Sequence, residues 1–216
     1  MQRHIDLTAP DCKARRIPRP LAFLITFLSV AIALVSYRYL GHAEEVPAQI
    51  AANAFFTPWL AIHAAGAATA LLLGPFQFMP ALRARWRRLH RWTGRVYVLG
   101  CLVGGITGLV LALGASTGAW SSAGFGMLAL AWLATTSLAW CRAVQRRIPA
   151  HQAWMIRSFA LTLSAVTLRL YLPIAERLPM SEAASYQAIA FLCWIPNLVL
   201  AEVCLRHLRL ETGAPD

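Results

Sequence analysis

Six apolar runs succeed one another along the chain, and most polar residues fall in the gaps between them. The first run is Leu21–Val35; the others cover roughly residues 57–80, 92–113, 123–142, 151–173 and 184–204. A helix needs about 20 apolar residues to cross a bilayer. Inside the bilayer a chain segment must satisfy its own backbone hydrogen bonds, so each run is expected as an α-helix. The pattern therefore predicts an all-α fold, a six-helix transmembrane bundle. Residues 21–205 form one membrane domain, flanked by a basic tail over 1–20 and a short tail over 206–216.

Composition agrees. Of the 216 residues 58% are hydrophobic and 13% charged, with a mean hydropathy of +0.55. A soluble domain carries about a quarter charged residues. Six spans and short connections use nearly the whole chain, which leaves no room for a soluble domain.

The distribution of charge gives the orientation. Leu82–Tyr97 reads LRARWRRLHRWTGRVY and holds six arginines, one histidine and two tryptophans. Between two apolar runs it reads as a short interfacial loop, with a weaker echo at Arg142–Arg157. Nearly all Lys and Arg fall in these two stretches and the two tails. The opposite gaps hold Arg38 and Arg177 against Glu44, Glu45, Glu176 and Glu182. Positive residues collect on the cytoplasmic side. Both termini are therefore expected in the cytoplasm, and the chain is expected as a multi-pass protein of the bacterial inner (plasma) membrane. A reporter fused at Asp216 tests this: periplasmic phosphatase activity there would contradict six spans.

The same rule accounts for the net charge of +11. The positive charge then needs no nucleic acid, and no aromatic-plus-basic groove for a single strand is visible. Gly41-His42-Ala43 has the small-x-small form of a cleavage site, but Tyr37 and Tyr39 resemble an aromatic belt, so the first run reads as an uncleaved helix. The five cysteines (Cys12, Cys101, Cys141, Cys193, Cys204) have irregular spacing and no C-x-x-C, which points to free thiols rather than a disulfide frame or zinc site.

Within the runs, small residues mark the helix faces that touch. Gly66, Ala70 and Gly74 form a small-xxx-small stripe, and His63 lies on the same face, buried among helices. Gly74-Pro75 should bend this helix and free a carbonyl for Gln77. His90, Gly94, Tyr97, Cys101, Gly104 and Gly108 alternate by four and three, so they share one face of the third helix. His151, Ser158, Thr162, Ala165 and Arg169 do the same on the fifth. Pro196-Asn197 should kink the sixth.

A short internal echo accompanies these faces. Arg87-Arg88 precedes His90 as Arg146-Arg147 precedes His151; Trp92 and Arg95 follow the first histidine as Trp154 and Arg157 follow the second. Both histidines start at matched depth on helices running the same way. Together with Arg91, Arg95, Arg157 and Glu202 they form an inner cluster. One reading is metal ligation: His90 and His151 as axial ligands to a haem b iron, with Arg91, Arg95 and Arg157 on the propionates. Another is a site for a quinone, phosphate or anionic lipid. The plainer reading is positive-inside arginines with histidines at interfacial helix starts. His63 and Arg169 are two further candidate binding residues. His63 reads as a ligand or proton relay, or as a histidine bonded to a neighbouring helix. Arg169, near the far surface, reads as snorkelling or paired with Glu176 or Glu182.

Three stretches carry a family resemblance: HAAGAATALLLGPFQF from His63, LHRWTGRVY from Leu89, and HQAWMIRSFALT from His151 with TLRLYLP from Thr167. Together they resemble the bacterial "domain of unknown function 2306" family of polytopic membrane proteins, over roughly residues 58–202. The resemblance implies the same architecture and no established reaction. A slighter one, carried by Leu89-His90 with Gly94, is to di-haem cytochromes b of the ascorbate-reducing type. There the fourth helix departs, because it has no histidine to partner His63.

Three functions remain open on the sequence. One is a redox protein binding haem b or quinone near the cytoplasmic face. The others are a small-solute transporter or permease, and a non-catalytic membrane partner or assembly factor with no cofactor. Expected partners are the bilayer with its anionic lipids and a protein partner or second copy, and no nucleic acid.

Overall fold

In a computed structural model the described residues are 18–41 and 48–212. The N-terminal tail with Cys12, the Gly41-His42-Ala43 question, and Glu44 and Glu45 fall wholly or partly outside them. The described chain is helical: α1 (Arg19–Ser36), α2 (Ala48–Ala51), α3 (Trp59–Gln77), α4 (Pro80–Arg85), α5 (Arg87–Leu113), α6 (Ala119–Val144), α7 (Ile148–Thr162), α8 (Ser164–Ala175), α9 (Glu182–Leu192) and α10 (Ile195–Thr212). A 3₁₀ turn, Tyr37–Leu40, extends α1. Six passes are long and apolar enough to cross a membrane: α1 with its 3₁₀ turn, α3, α5, α6, α7 with α8, and α9 with α10. Successive passes alternate in direction. The bundle thus has an arginine-rich end, where α4 and the starts of α5 and α7 lie, and a far end.

Three boundaries differ from expectation for local reasons. The arginine-rich stretch is not a loop. Pro80 at the first position of α4 starts a helix, and Trp86 alone breaks the backbone (φ −121°, ψ 59°) before α5 begins at Arg87. Arginine and leucine are good helix formers, so the basic residues extend the helix instead of ending it. The fifth pass is broken at Leu163 with no proline nearby, and the sixth at Cys193-Trp194, just before Pro196. The missing N–H of Pro196 explains the second break. Pro196 cannot bond the Leu192 carbonyl, and the next carbonyl, on Cys193, accepts from Thr167 Oγ1 at 2.8 Å and Asn197 Nδ2 at 3.1 Å. Thr167 also returns to the Leu163 carbonyl at 2.9 Å. One threonine therefore serves both breaks.

The core is built on a close crossing of α3 and α5. A Cβ placed on Gly66 would stand 2.8 Å from the Gly104 nitrogen and 2.9 Å from the Gly100 oxygen. Backbone meets backbone there, which any side chain would prevent. Around this crossing Tyr97, Cys101, Trp132, Met155, Phe159 and Leu161 are buried. Gln77 does not serve a freed carbonyl. Its Nε2 donates to Thr93 Oγ1 at 2.9 Å, tying α3 to α5. At the far end Gly118, with φ +101°, makes the turn into α6, a conformation that favours glycine.

Candidate functional site

The far half of the bundle contains a cavity of about 250 Å³. His63, Arg169, Tyr39, Trp132, Thr162 and Tyr186 contribute polar groups, with Asn53 and three serines also in the lining, and most of the remaining wall is Ala, Leu and Gly. Its shape follows from the α3–α5 contact: small residues on both helices leave space that large side chains would fill.

His63 is fixed in this wall. Its Nδ1 is 2.8 Å from the carbonyl of Gly104, one of the crossing glycines. A carbonyl can only accept, so Nδ1 carries the hydrogen and Nε2 is left as a lone-pair acceptor. The ring has room because Gly108 has no side chain; a Cβ there would be 3.3 Å from it. His63 is thus packed among helices, as its place beside Gly66 implied.

Arg169 reaches the same cavity from α8. It does not pair with Glu176 or Glu182. Its Nη2 donates to Ser36 Oγ at 2.7 Å and its Nη1 to the Ala165 carbonyl at 3.1 Å. Ser36 in turn donates to the Ile32 carbonyl at 2.6 Å, which turns its oxygen toward the guanidinium. Among the described residues Arg169 has no carboxylate partner. It is close enough to His63 for the two to interact electrostatically. The cavity therefore presents a guanidinium held by Ser36 and Ala165 and, near it, an imidazole whose Nδ1 is tied to Gly104, within mostly apolar walls.

Below the cavity, toward the arginine-rich end, lies a buried cluster of hydroxyls. Tyr97 OH is 2.9 Å from Ser158 Oγ and 3.0 Å from Thr162 Oγ1. Ser158 Oγ is 2.7 Å from Thr136 Oγ1. Thr162 Oγ1 donates to the Ser158 carbonyl at 2.9 Å and accepts from Trp132 Nε1 at 3.0 Å. Tyr97, Thr136 and Ser158 are fully buried. Donor bookkeeping orders the chain. Because Thr162 has already used its hydrogen, Tyr97 must donate to it. Tyr97 must then accept from Ser158, and Ser158 from Thr136.

At the arginine-rich end His90 and His151 are each the fourth residue of their helix. They lie near enough to interact electrostatically. His151 Nδ1 is 2.8 Å from the Ala139 carbonyl, so its Nε2 is the free nitrogen. His90 Nδ1 is buried without a hydrogen-bond partner. Arg157 is engaged elsewhere: its Nε and Nη2 grip Glu202 at 2.5 and 2.9 Å, and its guanidinium lies 4.6 Å from the Trp154 ring centre. Arg95 lies 4.9 Å over Trp92, and it and Arg91 are exposed. The internal echo is therefore real in geometry: each histidine is followed by a tryptophan–arginine stack. Of the three cations expected on haem propionates, the half-buried one is already neutralised by Glu202. Among the described residues no group of three or more His, Cys, Asp or Glu is arranged to hold a metal ion.

Residues 60–205 match the family described as predicted membrane protein, DUF2306. The chain belongs to that family. No curated protein and no solved structure shows significant similarity to it. The likeness to cytochromes b gains no support from the match.

In this DUF2306 member the candidate residues divide into two groups at opposite ends. His63 and Arg169 share the cavity. His90, His151, Arg91, Arg95 and Arg157 occupy the arginine-rich end. Between them lies the hydroxyl cluster. The sequence pattern places Tyr97 on the His90 face and Ser158 and Thr162 on the His151 face, each two helical turns or more from its histidine; it does not connect them to Thr136 on α6.

Proposed function

We propose that this DUF2306 protein binds a lipid-soluble quinone, in its quinol or quinone form, in the cavity of His63 and Arg169. On this reading it takes part in membrane redox chemistry. With the arginine-rich end in the cytoplasm, the ligand head lies in the outer half of the bilayer, away from His90. One observation carries the reading. A guanidinium that has no carboxylate partner among the described residues faces a largely apolar chamber, beside an imidazole whose Nδ1 is tied to a carbonyl so that Nε2 accepts in the neutral ring. An intramembrane cation is by default a functional-site candidate. A quinol hydroxyl can donate to His63 Nε2, and a ring oxygen can accept from Arg169, while the apolar walls take the ring and the start of its tail. A hydrophilic solute would leave its other polar groups without partners there, which disfavours the transporter reading.

Decylubiquinol and decylubiquinone titrated into the purified protein should quench tryptophan fluorescence saturably, since Trp132 lines the cavity. His63→Ala and Arg169→Gln should each weaken binding by about tenfold or more, the scale of a lost hydrogen bond to a charged or buried group. Non-saturating quenching of equal slope in all three proteins would contradict the proposal.

A further inference from the structure

The hydroxyl cluster joins two regions that the bundle otherwise separates. One end, Thr162, is itself part of the cavity wall. The other end, Thr136, lies one helical turn before Ala139, whose carbonyl holds His151. From His151 to Ser158 along α7 is roughly 10 Å, with the buried Met155 between them on the same face, so the path requires water to enter this stretch. We propose that Thr136, Ser158, Tyr97 and Thr162 form a proton path between the arginine-rich end and the cavity. The proposal needs the cavity as an outlet, not the identity of what occupies it.

The order of donors supports this. Burial of hydroxyls between membrane helices can serve as adhesion alone, and then any mutual pattern would do. Here the pattern has one direction. Trp132 donates to Thr162 Oγ1 and Thr162 donates to a backbone carbonyl, so the hydrogens run from Thr136 through Ser158 and Tyr97 to Thr162. The three hydroxyl-to-hydroxyl links run toward Thr162, which lines the cavity; the hydrogen of Thr162 itself lies on the Ser158 carbonyl and must rotate off it to reach the cavity. A proton arriving at Thr136 Oγ1 releases the hydrogen already there to Ser158. Ser158 releases its own to Tyr97, Tyr97 to Thr162, and Thr162, once its hydroxyl has turned away from the Ser158 carbonyl, to an acceptor in the cavity. Each oxygen gains one proton and loses one, so a single positive charge moves and nothing is oxidised or reduced. The hydroxyls must then rotate back before the next transfer. With a quinone in the cavity, such a path would supply the protons that its reduction consumes.

The test is proton flux in vesicles without quinone. Purified protein is reconstituted into liposomes with trapped pyranine, and an inward-directed potential is set by a potassium gradient with valinomycin. Wild type should acidify the lumen faster than protein-free vesicles. Tyr97→Phe breaks the file at its centre, and Ser158→Ala removes a small hydroxyl with little change in packing. Both should fall to the protein-free rate while keeping a cooperative thermal transition. His207→Ala, at an exposed ring that bonds the Val203 carbonyl one turn back, should conduct like wild type. Wild type no faster than empty vesicles would overturn the path. So would full flux in both Tyr97→Phe and Ser158→Ala, or an equal loss in His207→Ala. Because no quinone is present, a negative result here is separable from failed quinone binding.

Discussion

Gly66→Ala should be among the most damaging small substitutions in the chain. The added methyl meets the Gly104 nitrogen and Gly100 oxygen, backbone atoms that cannot rotate aside, so α3 and α5 must separate. Overpacking of this kind costs about 1–3 kcal/mol or more. For a protein of this size that corresponds to a fall in Tm of roughly 3–10 °C. The cavity is built on the same crossing, and His63 hangs from Gly104, so ligand binding should weaken together with stability. Gly126→Ala is the matched control. A Cβ there meets nothing closer than the Ala112 Cβ at 3.9 Å. It should leave Tm unchanged or raise it slightly, since alanine is the better helix former by about 1 kcal/mol. Thermal melts of the two proteins in one detergent decide the matter; equal melting would contradict the crossing.

Thr162→Val should have a comparable effect for a different reason. The replacement keeps the shape and removes the oxygen that takes the Trp132 indole hydrogen and the Tyr97 hydroxyl. A buried group deprived of its partner costs about 1–3 kcal/mol. The melting temperature should therefore fall by roughly 3–10 °C. Adding Tyr97→Phe removes one of the stranded donors, so the double variant should lose less than the sum of the two single ones. Coupling of about 0.5–3 kcal/mol is the usual range for groups in one network. Additive losses would mean that the hydroxyls do not act as a unit.

The bundle was legible in the sequence because lipid imposes a simple rule. Apolar length and arginine bias locate six spans, and glycine spacing marks the faces that meet. The α3–α5 contact, the place of His63 between helices and the matching helix positions of His90 and His151 all follow from such periodicities. The helical nature of Leu82–Tyr97 did not. Charge density there suggested a loop, whereas helix propensity and Pro80 decide the backbone. The break at Leu163 had no local signal, because it is set by Thr167 and its partners on the neighbouring pass. The orientation of Arg169 was hidden for the same reason. Its partner Ser36 lies 133 residues away in the chain, and the nearby glutamates attracted attention because they are close in sequence. Sequence spacing placed Tyr97 on one helix face and Ser158 and Thr162 on another, but did not bring these faces together or join Thr136 to them. That cluster depends on how α5, α6 and α7 rotate against one another.

The most direct measurement of the central claim is photolabelling with an azidoquinone. The full-length protein is irradiated with the probe in liposomes, and labelled peptides are mapped by mass spectrometry. Binding between His63 and Arg169 predicts labels on cavity residues of α3, α6 and α8, such as Ala67, Trp132 and Leu168. These labels should be lost on competition with decylubiquinol and in Arg169→Gln. Labels confined to lipid-facing side chains, or concentrated around His90 and His151, would contradict it.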